Sequence, residues 1–286
     1  MTIGQNASAA KAVLLAAAVL ATPAQAWAGV ADTYYERAFV VAADARCDLF
    51  DPHVDAALAA ATAQARGAAL RSGAAETDLN AVAARARSRA GAVSCRDPQL
   101  ATVRARVDGA FSGWARTPRM TFAGERQPWL ADRTKWTQPG WRLKQATTVG
   151  ASPVAFGYGG EPDAEGLTAV VSFVGRSRPN AVRLVFRDIA KAPRAWVSGG
   201  GLVPAASRAS VWATGVSAAD PALLAEGRRS GDAWRFPASA ADRLARLDPR
   251  ETFLVEFHFR DGSVATARFE AGDFAAGRAF MAMGGL

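Results

Sequence analysis

Two cysteines, and the residues that follow each of them, set the strongest limit on how this chain can fold. Cys47 and Cys95 are the only cysteines in 286 residues. Each closes a stretch of helical period just before an Asp-Pro step, Asp51-Pro52 after the first and Asp97-Pro98 after the second. Asp accepts hydrogen bonds from the free amides of a helix start, and Pro loses nothing at the first helical position. The pattern predicts two helical hairpins, with helices over 33–49, 51–73, 77–93 and 97–114. In an up-down-up-down bundle the connections after the first and third helices lie at one end. The cysteines sit at those connections, so a Cys47–Cys95 disulfide is expected. A redox or metal role is the competing reading, but no Cys-x-x-Cys motif supports it.

The helical stripes are rich in alanine. Val54, Leu58, Ala61 and Ala65 mark the second segment, and Leu100, Val103, Val107, Phe111 and Trp114 mark the fourth. Thr33 and Glu36 form a Thr-x-x-Glu capping box at the expected start of the first. Upstream, Lys11, an apolar run over Ala12–Ala21, Pro23 and the small-x-small steps Ala24-Gln25-Ala26 and Ala26-Trp27-Ala28 read as an export signal over residues 1–28. The run is shorter than the roughly 20 residues that span a bilayer. The expected product is periplasmic, with no transmembrane segment in the mature chain, and an uncleaved anchor is the alternative. Oxidation of the cysteines suits that compartment.

After Arg116 the helical period stops. Pro118, Gly124, Pro128, Pro139 and Gly140 punctuate a stretch read as a linker over 117–140, after a bundle domain over 29–116. From 141 to 286 the period is two, as in an antiparallel β-sandwich of short strands with flanking helices. The fold class expected is therefore α+β. Trp141, Leu143 and Gln145 alternate with Arg142 and Lys144, residues 168–174 read as a central strand, and further strands are expected at 153–158, 182–187, 194–197 and 208–215. A hairpin joins 253–260 to 264–270. Parity requires an odd loop, read as 261–263, with Phe257 opposite Ala267 and Val255 opposite Phe269. Short helices are expected at 239–247 and at 273–283, the latter capped by Asp273.

Leu244-Ala245-Arg246-Leu247, the paired strands and Gly272-Asp273-Phe274-Ala275-Ala276 resemble the ending of the invasion-associated locus B family of exported bacterial β-sandwich proteins. The resemblance covers about residues 200–282. The cysteines typical of that family are absent, and the helical half has no counterpart in it. It implies a periplasmic sandwich and transfers no functional residue.

Chemistry-bearing residues are sparse. His53 and His258 are the only histidines, and neither has a second ligand at metal spacing. No metal, cofactor or catalytic set is implied, and a Gly-x-Ser-x-Gly elbow is missing. Gly157–Gly160 and Gly199–Gly201 lack the Lys-Ser or Lys-Thr step of a phosphate loop and read as flexible turns. Glu161, Asp163 and Glu165 read as a solvated acidic loop. Two surfaces remain as candidates. Arg142, Lys144, Arg183 and Arg187 can line a basic sheet face for an anionic ligand. Trp129, Trp136 and Trp141 either stack on sugars or bury a joint between domains.

The formal net charge is +8, and Lys11, Lys135, Lys144 and Lys191 are the only lysines. An exported basic protein points to lipopolysaccharide, anionic lipid, a cell-wall polymer or an envelope protein as partner, and not to nucleic acid. The expected function is a non-catalytic binding or accessory protein of the bacterial cell envelope. The alternatives are an envelope glycan or peptidoglycan hydrolase using Glu125 and Asp132, or a structural subunit of an envelope assembly.

Overall fold

The computed structural model describes residues 23–134, 137–161, 166–175, 177–197 and 201–286, with side chains from residue 29. The export segment read over 1–28 thus lies outside the described residues except for the backbone of 23–28. Four helices open the fold: α1 (Pro23–Cys47), α2 (Pro52–Arg71), α3 (Glu76–Ala92) and α4 (Pro98–Ala115). Both Asp-Pro steps act as expected. The Asp51 carboxylate accepts from the amides of His53 and Val54 at 3.1 and 3.2 Å, and Asp97 accepts from Gln99 at 2.8 Å. Thr33 does not start a helix. α1 begins upstream of it, and its hydroxyl donates to the Gly29 carbonyl at 2.9 Å, as a threonine inside a helix does.

Cys47 and Cys95 are joined in a disulfide with Cα atoms 5.4 Å apart. Closing this loop contributes about 4 kcal/mol by the chain-entropy argument. The Asp44 carboxylate tightens the turn beside it, accepting from Leu49 and Phe50 at 2.7 and 2.9 Å. α1 packs along α2 and α3, while α2 packs along α1 and α4, which leaves α3 and α4 as outer helices.

All the strand pairings that follow are antiparallel. One sheet has seven strands in the order β1-β2-β3-β4-β5-β9-β8: β1 (Arg119–Phe122), β2 (Trp129–Asp132), β3 (Gly140–Val149), β4 (Ser152–Gly160), β5 (Gly166–Val171), β9 (Asp232–Arg235) and β8 (Gly215–Ala218). The other has four, in the order β11-β10-β6-β7: β11 (Val264–Glu270), β10 (Thr252–His258), β6 (Ala181–Arg187) and β7 (Arg208–Trp212). Phe156 of β4 meets Phe253 of β10 and Phe269 of β11, with ring centroids 5.1 and 5.5 Å apart, so side chains of both sheets share one core. Two short helices, α5 (Ala238–Leu244) and α6 (Phe274–Ala282), pack into the same core through Leu244, Phe274 and Phe280.

Several expectations change. Residues 117–140 carry β1 and β2, which pair with each other and join the sheet through β3. Residues 194–197 form no strand, and β9 is an additional one. Gly157–Gly160 belong to β4, not to a flexible turn; a Cβ on Gly157, whose φ is +152°, would lie 1.9 Å from the Leu143 carbonyl oxygen.

In the C-terminal hairpin Phe257 faces Ala265 and Val255 faces Ala267. The loop is odd, as parity requires, but it is 260–262. Phe259 donates its amide to the Ser263 carbonyl, and Gly262 donates back to the Phe259 carbonyl. Gly262 takes φ +81°, and as the only glycine of the turn it fixes which three residues form the loop.

The helical and β halves meet on α2. Its Ala57 and Ala60 are fully buried in the core that the two sheets share, and α2 lies along α6. Gly67 lets α2 approach α6 closely, since a Cβ there would fall 2.0 Å from Asp273 Oδ1. Asp273 stands at the N-terminus of α6 but makes no cap; its carboxylate turns onto the guanidinium of Arg71 on α2.

Candidate functional site

The outer face of the seven-stranded sheet carries an open groove of about 740 Å³ over β1, β2 and β3. Strand alternation builds it. Phe122, Trp129, Ala131 and Leu143 point into the core, which sends Arg119, Thr121, Leu130, Asp132 and Lys144 outward. Register then aligns them: Thr121 faces Leu130, Leu130 faces Lys144, and Arg119 faces Asp132.

Trp141 joins this face because β3 is irregular. Its pairing slips between Trp141, opposite Gly159, and Leu143, opposite Tyr158, leaving Arg142 as an extra residue. A bulge of that kind re-aims the side chains on one side of it. Simple alternation puts Trp141 with Leu143 and Gln145 on the core face; the bulge turns it outward beside Lys144.

The indole is held from two directions. Its Nε1–H donates to the Leu223 carbonyl at 3.1 Å, and its six-membered ring covers Gly159, where a Cβ would come within 2.8 Å. With its donor used and its plane fixed, the ring is a preorganised apolar platform.

Among the described residues, Arg119 and Asp132 form an ion pair on this face and Lys144 has no partner. Arg119 Nε lies 2.8 Å from Asp132 Oδ2, and the Thr134 amide donates to Asp132 Oδ1 at 2.8 Å. Burial works to raise the Asp132 carboxyl, but bonds from Thr134 and Arg119 outweigh it and hold the group below the ordinary carboxylate range. Asp132 is therefore an anion at neutral pH and not a proton donor. Lys144 has no carboxylate or hydrogen-bond partner among the described residues. Arg142 donates Nε to the Asp132 carbonyl at 3.0 Å.

The hairpin that forms one wall is anchored from behind. Glu270 accepts from the amides of Arg126 and Gln127 at 2.9 and 3.2 Å, and Trp129 donates to the Ala271 carbonyl at 3.0 Å. Gln145, fully buried, bridges the Gln127 carbonyl and the Glu270 amide at 2.8 Å each.

The four basic residues read as one face are split between sheets. Arg142 and Lys144 are on β3, while Arg183 and Arg187 are on β6 of the four-stranded sheet. Arg183 is engaged with Glu256 at 2.7 Å and lies over the Trp212 ring. Arg187 is only 3 % exposed. It makes two bonds to Glu251, at 2.6 and 2.8 Å, and donates to the carbonyls of Ala192 and Pro193, so it anchors the loop after β6. That loop covers the end of β6 on its outer side, which alternation within the strand could not reveal.

The tryptophans also separate. Trp129 is fully buried against Phe274 and Phe156, Trp141 lines the groove, and Trp136 lies outside the described residues. Asp163, Glu165, Gly199 and Gly200 lie outside them too.

His53 is exposed at the start of α2, whereas His258 is on β10, its Nε2 3.4 Å from Glu256 and its ring 5.2 Å from that of Trp212. They form no common site. Among the described residues no group of three or more His, Cys, Asp or Glu could hold a metal ion, and no helix is long and apolar enough to cross a membrane. Glu125 sits in the turn of the β1–β2 hairpin, beyond its last pair Phe122–Trp129, and Asp132 stands at the open end, a further three residue pairs or about 10 Å along the strands. No family model, curated protein or solved structure matches the chain.

Proposed function

We propose that this is an exported, periplasmic protein of the bacterial cell envelope that binds an anionic envelope glycan without transforming it. The observation that carries the proposal is Lys144, which has no partner among the described residues and lies beside the fixed indole of Trp141 in an open groove. A flat aromatic platform suits the apolar face of a sugar ring, and a free cation suits its carboxylate or phosphate. Export is supported by residues 1–28 and by the disulfide, which persists in oxidising compartments. The core shared by the two sheets supports reading the β half as a sandwich of the kind found in the invasion-associated locus B family. The disulfide-linked helices support reading the N-terminal half as a bundle.

The hydrolytic alternative has less behind it. Glycoside hydrolysis needs two carboxyl groups across the scissile bond, one of them a proton donor, and Asp132 is a paired anion well separated from Glu125.

The test is a titration of the protein with lipid-free core oligosaccharide of lipopolysaccharide, against a neutral dextran of the same size. Lys144→Ala should weaken binding to the anionic glycan by about tenfold or more, the scale of one charge-assisted hydrogen bond, and Trp141→Ala should weaken it as well. Equal affinity for the dextran, or a Lys144→Ala variant that binds as the parent does, would refute the reading.

A further inference from the structure

Lys144 and Trp141 occupy only the β3 flank of the groove on the seven-stranded sheet. The opposite flank is β1, an edge strand, and it presents Arg119 and Thr121, both exposed. Register fixes the spacing. Thr121 lies opposite Leu130 and Leu130 opposite Lys144, so the two flanks stand two strand spacings apart, about 10 Å. Arg119 is two residues from Thr121 on β1, and alternation puts such a pair on one face.

Hydrogen bonding decides which charges stay available. Asp132 is the one carboxylate among the described lining residues, and both of its oxygens are taken. Oδ1 accepts from the Thr134 amide and Oδ2 from Arg119 Nε, at 2.8 Å each. The Arg119 guanidinium is met from that side only. Its Nη1 and Nη2 have no partner among the described residues, and its side chain is 75 % exposed. The Thr121 hydroxyl has no partner among them either. Arg142 donates Nε to the Asp132 carbonyl, which adds a third positive charge beside the single carboxylate. The groups left over on the β1 flank are therefore donors. An arginine held by a carboxylate at Nε keeps its terminal nitrogens for a second oxyanion, and being held orients it before a ligand arrives.

A six-membered ring built of bonds of about 1.5 Å is about 3 Å across, so one sugar does not reach from flank to flank. Leu130, 45 % exposed, lies between the flanks as an apolar floor over which a longer glycan crosses. Given the glycan-binding reading of Lys144 and Trp141, on which this rests, we infer that the groove holds two acidic groups of its ligand. The first lies at Lys144, the second at the terminal nitrogens of Arg119 and the hydroxyl of Thr121. The ligand class is then a glycan that is acidic on more than one sugar.

Calorimetric titration tests this with a tetrasaccharide that carries carboxylates on alternate sugars, as in hyaluronan, and the same tetrasaccharide with one carboxylate reduced to the alcohol. The parent should bind the two-acid form at least tenfold more tightly, the scale of one charge-assisted hydrogen bond. Arg119→Ala and Thr121→Val, both at exposed positions that leave the fold intact, should each shrink that ratio, Arg119→Ala to below about threefold. Thr121→Val alters no charge, so its result does not depend on the Asp132 carboxylate that Arg119→Ala uncovers. Lys144→Ala should weaken both forms, which checks the glycan reading itself. Equal affinity of the parent for the two forms, or a ratio unchanged in either β1 variant, would overturn the second subsite, while a loss in Lys144→Ala keeps the first. No binding of either form, or a Lys144→Ala variant that binds both as the parent does, would remove the glycan reading and the second subsite with it.

Discussion

At the scale of single residues, the chain is most informative where a side chain acts on its own neighbourhood. Asp51 and Asp97 cap helices because their acceptors and donors lie within three residues, and that much is written in the sequence. Asp273 has the same chemistry in front of α6, yet its carboxylate is drawn to Arg71, 202 residues away in the chain. Burial raises its carboxyl above the ordinary range, more than the opposing pull of Arg71 lowers it, and its Oδ2 is buried with no hydrogen-bond partner. The sign of the pH effect follows. A carboxyl raised in the folded state holds its proton after the unfolded chain has lost it, so stability is greatest below the unfolded value and is lost as pH rises toward the raised one. Asp273→Asn lacks that loss. Urea denaturation from pH 3.5 upward should show the variant gaining on the parent through the window that begins near pH 4, the ordinary carboxylate value. A stability difference that stays flat across that window would show that Asp273 is not raised.

At the scale of elements, hydrophobic period located the four helices and most of the longer strands, because each carries several turns or repeats of its own pattern. β1, β2 and β9 have four residues apiece, too few for a period to stand out beside Pro and Gly. The bulge in β3 is harder still, since the extra residue is defined only against its partner strand. It turned Trp141 away from the face that simple alternation shares with Leu143 and into the groove, so half of the candidate site was legible as residues but not as a site. The C-terminal hairpin shows the limit of parity. Registers that differ by two residues bury the same faces, and only the left-handed turn position separates them. Gly262→Ala places a Cβ at φ +81° and should cost about 1–2 kcal/mol in chemical denaturation, whereas alanine at the exposed Arg260 beside it should cost little. Equal effects at both positions would mean that Gly262 does not set the loop.

At the scale of the whole molecule, α2 belongs to two structures at once. It carries Leu58 into the core of the helices and Ala57 and Ala60 into the core of the sheets. With so much surface in common the two halves should unfold together. Helical circular dichroism and tryptophan fluorescence should therefore give coincident urea transitions, and Ala60→Glu should lower both midpoints by the same amount. A helical signal lost ahead of the fluorescence would mean that the helices stand apart. None of this join was visible in the chain, because alanine is as common on the outer faces of these helices as on the buried ones.

The bond between Cys47 and Cys95 has a topological consequence. It closes the backbone from residue 47 to residue 95 into a ring, and α2 and α3 lie wholly within it. The helix that joins the two halves is thus covalently held at both ends. A protease that cuts anywhere inside the ring opens it without releasing a fragment, and each end of the nicked chain stays tethered to the folded remainder. A single nick between residues 47 and 95 is then survivable in a way that the same nick between β strands is not.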